Sequence, residues 1–366
     1  MTRARDLANF ADGTIGDVSG NLTGNVTGNI NGLTPQASNM QPFNRIINGA
    51  MTIDQRNAGA ASANTINGYF LDRWDVSQIT TGKIIAQQNA GSVTPPVGFG
   101  NYLGITSQSA YSVISTDRTM ITQWIEGFNC ADLNWGTANA KTVTLSFWVR
   151  SSLTGTFGGA FINYNGNRSY AFSYTVSSAN TWEQKSVTVA GDTTGTWNVT
   201  NSGGIGIRFG LGVGSNYLGT AGAWSASNFA GVTSQVNLVG TSGATFYITG
   251  VQLEAGSSAS SFAHENVGDT LQKCQRYYQP FKFNYETTLG ATGSIASPVT
   301  AFSVPMRASP TMTASDQNDG ATTCTLIAFG LNGSVATGYY SYHVGLTITT
   351  SGYTYRYLRG NANAEL

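Results

Sequence analysis

Charge is what this sequence has least of. Eighteen basic and eighteen acidic residues leave 10% of the 366 positions charged and a formal net charge of zero, where ordinary soluble domains carry roughly 25%. The basic residues form no run beyond the scattered Arg3 and Arg5, which argues against nucleic acid and against anionic membrane surfaces as partners. Cysteine is equally sparse. Cys130, Cys274 and Cys324 are odd in number, far apart and in no CxxC pair, which argues against a disulfide framework or zinc site and fits folding in a reducing cytosol. No apolar stretch approaches the ~18 residues of a membrane span, and no leader-like segment follows Met1-Thr2-Arg3-Ala4-Arg5, so neither membrane insertion nor export is expected. The two histidines, His264 and His343, stand in no spacing that suggests a metal pair or a catalytic triad. P-loop, Rossmann and GxSxG motifs are all missing. The expectation is a chain without cofactor, metal or catalytic residues.

Glycine is abundant, with 45 residues, beside 17 Tyr, 17 Phe and 7 Trp, and hydrophobics make up 40%. That composition suits a real core built from many short strands and tight turns. The first forty residues carry a four-residue repeat: Gly16-Asp17-Val18-Ser19, Gly20-Asn21-Leu22-Thr23, Gly24-Asn25-Val26-Thr27, Gly28-Asn29-Ile30-Asn31. In an extended chain this places Val18, Leu22, Val26 and Ile30 on one face, alternating with glycine. A helix would lose about 1 kcal/mol at each glycine. One strand cannot bury such a ridge by itself; association with copies of the chain can, since glycine lets backbones approach a common axis. The competing reading is a flexible Gly/Asn/Thr linker, against which the strict apolar fourth position stands.

Beyond Pro35 the pattern changes to strands. Val143, Leu145, Phe147 and Val149 alternate with Thr142, Thr144, Ser146 and Trp148; Ile205, Ile207, Phe209, Leu211 and Val213 share a face whose reverse is mostly glycine. Asn165-Gly166 between two strand-like runs is a hairpin signal. About eight to ten strands over ~220 residues predict a β-sandwich of the jelly-roll kind. Val267, Leu271, Cys274 and Tyr278 then trace a helical stripe with Asn266 as N-cap and Pro280 as its stop. A second β segment follows, with turn signals at Asp319-Gly320 and Asn332-Gly333 and an alternating Tyr353, Tyr355, Tyr357. The fold expected is all-β: a particle-docking segment 1–15, a Gly-rich repeat stem 16–40, a jelly-roll-like sandwich 41–263, a connecting helix 264–280 and a small separate C-terminal β domain 281–366.

Titratable groups able to do chemistry are few. Asp72, Asp75, Glu126, Asp132, Glu183 and Glu254 are the carboxylates from which a glycosidase pair would have to come. The tightest cluster, Asp72-Arg73-Trp74-Asp75, reads better as an Arg–Asp pair beside a buried Trp, and Glu254 as a strand-end structural carboxylate. His264 reads as a linker residue. Aromatics in polar, turn-rich surroundings are the better resource, since flat rings beside amides and hydroxyls suit a neutral sugar. Trp135, Trp197, Tyr217 and Trp224 sit in such surroundings. The carbohydrate-binding candidates are Tyr339, Tyr340, Tyr342, His343, Trp197 and Trp224, with packing of the small domain or a subunit interface as the alternative role for the tyrosines.

Several phrases resemble one family in order along the chain. Asn44-Arg45-Ile46-Ile47-Asn48-Gly49-Ala50-Met51-Thr52-Ile53-Asp54-Gln55-Arg56 and Leu71-Asp72-Arg73-Trp74 resemble the opening of a jelly-roll domain of bacteriophage tail-fibre proteins, common among phages of marine bacteria and cyanobacteria. Gly250-Val251-Gln252-Leu253-Glu254-Ala255-Gly256-Ser257 and Cys274-Gln275-Arg276-Tyr277-Tyr278 resemble that domain's end and helix. Val304-Pro305-Met306-Arg307-Ala308-Ser309-Pro310-Thr311 resembles the strand entering its C-terminal domain, and Arg3-Ala4-Arg5-Asp6-Leu7 with the repeat resembles the particle-proximal end. The resemblance implies a tail component of a virion, assembled in the host cytoplasm. It also implies a homotrimer joined through its N-terminus to tail or adaptor proteins and binding a host cell-surface glycan without catalysis. It carries over no sugar-binding or catalytic residue. The alternatives are a purely structural virion protein, such as a head fibre or tail adaptor, and a polysaccharide depolymerase tailspike.

Overall fold

Alternation and turn chemistry along residues 68–255 produce two antiparallel sheets packed face to face. The computed structural model describes residues 44–62, 67–78, 80–289, 293–296, 300–316, 324–334, 338–348 and 352–366. The repeat, with Val18, Leu22, Val26 and Ile30, and the docking segment lie outside the described residues. In chain order the sandwich strands are β1 Gly68–Leu71, β2 Trp74–Ser77, β3 Ile84–Gln88, β4 Leu103–Ser107, β5 Arg118–Glu126, β6 Val143–Ser151, β7 Gly155–Asn163, β8 Ser169–Val176, β9 Glu183–Val189, β10 Gly203–Val213, β11 Leu218–Gly219, β12 Trp224–Ser225, β13 Gly231–Val232 and β14 Thr245–Ala255. One sheet has seven strands in the order β1-β2-β5-β10-β7-β8-β12, the other five in the order β3-β4-β14-β6-β9; β11 and β13 pair separately.

The apolar faces meet between these sheets. Val143, Leu145, Phe147 and Val149 are fully buried, as are Phe157, Phe161, Phe209, Phe246 and Ile248. Phe147 stands edge-on to Tyr174 and Phe209 at 5.0 and 5.1 Å, a geometry favoured by the ring quadrupoles. Ile205, Ile207, Phe209 and Leu211 of β10 join this core. Val213 instead packs with Met120 and Ala230, because the pairing with β5 slips between Gly210 and Gly212, and a bulge turns the following side chain. The glycine side of β10 is covered as well. A Cβ on Gly210 would stand 2.6 Å from the Ala230 carbonyl, and one on Gly158 of the next strand 2.7 Å from the Val232 amide. The 229–235 stretch can lie against the sheet only because side chains are missing there. The predicted hairpin at Asn165-Gly166 joins β7 to β8, with Gly166 at φ 68° and the Asn163 carboxamide oxygen accepting from the Asn167 and Arg168 amides at 3.1 and 3.0 Å.

After the sandwich comes one helix, α1 Val267–Gln275, capped by the Asn266 side chain, which accepts from the Gly268 amide. It is shorter than its sequence stripe suggested. Tyr278 already belongs to the next strand, and Pro280 lies inside that strand rather than ending the helix. The remaining strands are β15 Tyr278–Leu289, β16 Gly293–Ala296, β17 Thr300–Met306, β18 Thr311–Asp316, β19 Cys324–Ser334, β20 Gly338–Ile348 and β21 Gly352–Asn363. They form a sheet β15-β21-β18 and a sheet β16-β20-β17, with β19 also on β20. β15 is an edge strand, which is why Pro280 is tolerated there. Asn332-Gly333, expected as a turn, is a register shift within β19; Asp319-Gly320 lies outside the described residues.

Pro42–Leu366 forms one compact unit, in which the C-terminal sheets meet the sandwich. The joint is polar and buried. Asp72-Arg73 is the two-residue turn between β1 and β2, with Arg73 at φ 72°. Its side chain, 1% exposed, pairs with the Glu365 carboxylate, donates to the Trp124 carbonyl at 2.5 Å and lies 3.5 Å over the Tyr277 ring. The pairing expected within Asp72-Arg73-Trp74-Asp75 is therefore corrected: Arg73 takes its carboxylate from residue 365, while Asp72 accepts from the Gln55 amide and side chain at 2.7 and 2.8 Å. Tyr277 in turn donates to Glu126 at 2.8 Å, and Arg276 grips the same carboxylate with two bonds. Arg307 bridges the Asn201, Ala364 and Glu365 carbonyls at 2.7, 2.6 and 2.8 Å.

Two outcomes follow from the joint. Glu365→Ala leaves the buried Arg73 guanidinium without its carboxylate and should cost about 3–5 kcal/mol, read as a lower urea midpoint. Burial pushes Asp72 and Asp75 from 3.8 up to about 6. Between those values these two groups hold more protons in the folded chain than in the unfolded one, so their contribution to stability should fall as pH rises from 3.8 to about 6 and then level off. Unfolding free energies of an Asp72→Asn, Asp75→Asn double variant should lose that slope.

Candidate functional site

Three indoles gather at one margin of the seven-stranded sheet. Trp135 follows a short 3₁₀ turn at Ala131–Leu133, Trp197 lies on the loop between β9 and β10, and Trp224 is on β12, the edge strand paired to β8. Their ring centroids are 4.8 Å (Trp135–Trp197), 5.2 Å (Trp135–Trp224) and 5.5 Å (Trp197–Trp224) apart, each pair edge-to-face. Tyr170, directly across from Trp224 on β8, adds a fourth ring at 5.3 Å. Trp135 is buried against Phe161, whereas Trp197 and Trp224 are half-buried and present part of their rings to solvent.

Every indole N–H in the cluster is taken up by the protein. Trp135 donates to the Lys141 carbonyl at 2.8 Å, Trp224 to the Ala190 carbonyl at 2.9 Å and Trp197 to the Asp192 carboxylate at 3.0 Å. Asp192 is fully buried and also receives a two-pronged bond from Arg168 at 2.8 and 2.6 Å and the Thr194 amide at 3.3 Å. Burial alone would push its carboxyl up; the donors from Arg168, Trp197 and Thr194 outweigh that and hold it below its ordinary range. Arg168 spans the group, its guanidinium 5.9 Å from the Trp224 ring.

Local sequence explains how two loops reach each other here. Gly136 and Gly195, each beside or near a tryptophan, take φ of 86° and 81°, and a Cβ on Gly136 would stand 2.8 Å from the Gly195 carbonyl. Only glycine meets both demands. The result is a set of rings whose orientation is fixed before any ligand arrives, with every N–H group already bonded within the protein. Such a surface offers C–H contacts rather than acid–base chemistry.

Of the aromatics singled out from sequence, the structure brings Trp135, Trp197 and Trp224 together. Tyr342 is elsewhere and is 4% exposed, packed at 5.1 Å from Phe281 and 4.9 Å from Phe302. That burial raises its hydroxyl's pKa and removes it as a sugar contact. His343 is half-buried on β20, opposite Gly330; the side chains of Tyr339 and Tyr340 lie outside the described residues. Tyr217 lies 4.4 Å beneath the Arg118 guanidinium. His264 packs against Phe99 and Phe262, with ring centroids 5.3 and 4.9 Å away. Arg168 and Asp192 escaped sequence reading, since nothing in two residues 24 positions apart announces an ion pair.

Five of the six carboxylates considered for cleavage have structural partners: Asp72 with Gln55, Glu126 with Arg276 and Tyr277, Asp132 with Arg45, Glu183 with Lys185, and Glu254 with Ser260 and Gln252. Cys130 and Cys274 are buried free thiols, and burial pushes that of Cys130 up to about 12. Among the described residues no group of three or more His, Cys, Asp or Glu gathers to hold a metal, and no helix is long and apolar enough to cross a membrane. Asp192→Ala should unlock Trp197 and strand Arg168. A loss of about 3–5 kcal/mol in stability and a red-shifted tryptophan emission are the expected readouts.

No family model and no curated protein matches the chain. Among solved structures it is similar to the enzymatically active domain of tailspike protein 4 of bacteriophage CBA120, at 13% identity and TM-score 0.30, covering 58% of this chain but only 21% of the tailspike chain. It is also similar to a CBM4 structure at 16% identity and TM-score 0.30, over 57% of this chain and 98% of the other. A putative sugar binding protein from Bacteroides thetaiotaomicron matches at 11% identity and TM-score 0.34, over 58% of this chain and all of the other. These likenesses transfer no residue roles.

Proposed function

We propose that this chain is a glycan-binding attachment protein of a phage virion, mounted on the tail, acting as a homotrimer and without a catalytic step. The observation that carries the glycan part is the tryptophan cluster, with two partly exposed rings locked in place by Asp192, Arg168 and backbone carbonyls. Rigid aromatic faces suit sugars because stacking on them sacrifices little side-chain freedom. The virion part rests on the ordered phrases shared with tail-fibre proteins, from Arg3-Ala4-Arg5 through Val304-Pro305-Met306. In this reading the sandwich is a jelly-roll body, the N-terminal segment docks on the particle, and the repeat joins three chains along Val18, Leu22, Val26 and Ile30. Three weak sites per trimer, and several trimers per particle, multiply affinity by avidity, so no single ring needs to bind tightly.

Labelled full-length protein should adsorb to susceptible cells and compete with infection, and light scattering should give three times the 38.5 kDa chain mass. Trp197→Ala with Trp224→Ala should weaken adsorption at least tenfold, or about 1.4 kcal/mol per site. A protein that neither binds cells nor blocks infection is a structural component instead, and shortening of host polysaccharide on incubation would make it a depolymerase.

A further inference from the structure

The tryptophan cluster is tied to one end of an edge strand. Trp224 donates to the carbonyl of Ala190, the residue that follows β9, and Asp192 and Trp197 stand in the loop just beyond it. β9 closes the five-stranded sheet and pairs only with β6. Among the described residues, its outer rim of backbone N–H and C=O groups is therefore open. Burial along the strand alternates, with Gln184, Ser186 and Thr188 exposed, and Ala190 after them. Its charged residues, Glu183 and Lys185, cancel in an ion pair at 2.6 Å.

A groove of about 370 Å³ lies along the first half of the same strand, lined by Gln184, Lys185, Ser186, Ala259, Ser260 and Ser261. That is within the range of small-molecule sites. Its far wall is held from below. The Ser260 hydroxyl and amide donate to the Glu254 carboxylate at 2.7 and 2.9 Å, and the Gln252 side chain donates to the Ser260 hydroxyl at 3.1 Å. Gln252 and Glu254 are both buried. By contrast, the Gln184 amide and the Ser186 and Ser261 hydroxyls have no partner among the described residues. Trp182, two residues before Gln184, is half-buried and gives its indole N–H to the Thr94 carbonyl at 2.9 Å, just as Trp197 and Trp224 give theirs to the protein.

From Lys185 to Ala190 the extended chain covers about 17 Å, the length of roughly three to four linked pyranose rings. We propose that cluster and groove are the two ends of one track, in which an extended neutral oligosaccharide lies along β9 from Trp224 and Trp197 to Gln184 and Ser186, with Trp182 at its far end. Sugar hydroxyls along that length meet the open rim of the strand and the unpartnered amide and hydroxyls of the groove, while the rings at either end take carbon faces. Balanced charge favours a neutral chain over an acidic one. A peptide added as a further strand would need pockets for alternate side chains; the small polar groups of Ser186 and Thr188 provide none. The inference rests on the glycan reading and adds to it the length and charge of the ligand.

Full-length protein and a Gln184→Ala, Ser186→Ala double variant are compared for adsorption to susceptible cells. Neutral and acidic fragments of the host surface polysaccharide, sorted by length, serve as competitors. Both substitutions are at exposed positions and should leave Tm unchanged. Against the parent, four-unit neutral fragments should compete at least tenfold better than two-unit ones. Against the double variant that length preference should vanish, while two-unit fragments compete as they do against the parent. Equal competition by both lengths, a preference that survives the two substitutions, or acidic fragments outcompeting neutral ones of equal length overturns the track and leaves the tryptophan site standing. Periodate treatment of the cells should abolish adsorption and protease treatment should not. The reverse result makes the occupant of β9 a peptide and ends both readings, as does a parent protein that fails to adsorb.

Discussion

The buried guanidinium of Arg73 is the contact on which the arrangement of the described residues depends. It sits in the turn between β1 and β2, where φ of 72° aims it inward, and it must be neutralised because a lone buried charge is intolerable. Glu365 supplies the carboxylate, Tyr277 a ring face and Trp124 a carbonyl. Those partners come from the end of β5, the exit of the helix and the residues after β21. One side chain therefore sets where the last sheets sit on the sandwich. Arg276 with Glu126 and Arg307 with three carbonyls repeat the device around it. In a chain so poor in charge, Arg45, Arg56, Arg73, Arg276 and Arg307 each bind together segments distant in sequence.

The tryptophan site is a by-product of that economy. At the sheet margin, the Arg168–Asp192 pair holds Trp197 and lies beside Trp224, and both rings stay half-buried. The site asks for no proton transfer, and most carboxylates that might supply it are spent on structure.

Much of the sandwich was legible in the sequence. Alternation at Val143–Val149 and Ile205–Leu211 named core faces correctly, because a strand's period of two is local and a buried face must be continuously apolar. The Asn165-Gly166 hairpin was equally plain. Errors arose where distant residues override local signals. The helical stripe through Tyr278 failed because β21 recruits residue 278 into a sheet, and Val213 changed sides because a bulge, invisible in composition, shifts the register. Asn332-Gly333 kept its glycine for a bulge rather than a turn.

The candidate surfaces show the same division. Composition and pattern alone determined that this is a charge-poor, mostly β chain with aromatics to spare, and that Trp197 and Trp224 lay in polar surroundings. Which rings meet, and which vanish, was decided by packing: Trp135 joined them across two loops made compatible by Gly136 and Gly195, while Tyr342 went into the core between Phe281 and Phe302. Arg73 finding Glu365 was likewise settled only in three dimensions. The physical reason is range. Propensity and periodicity act over a few residues, whereas desolvation and Coulomb energy act between whatever the fold brings within a few ångströms, however far apart in the chain.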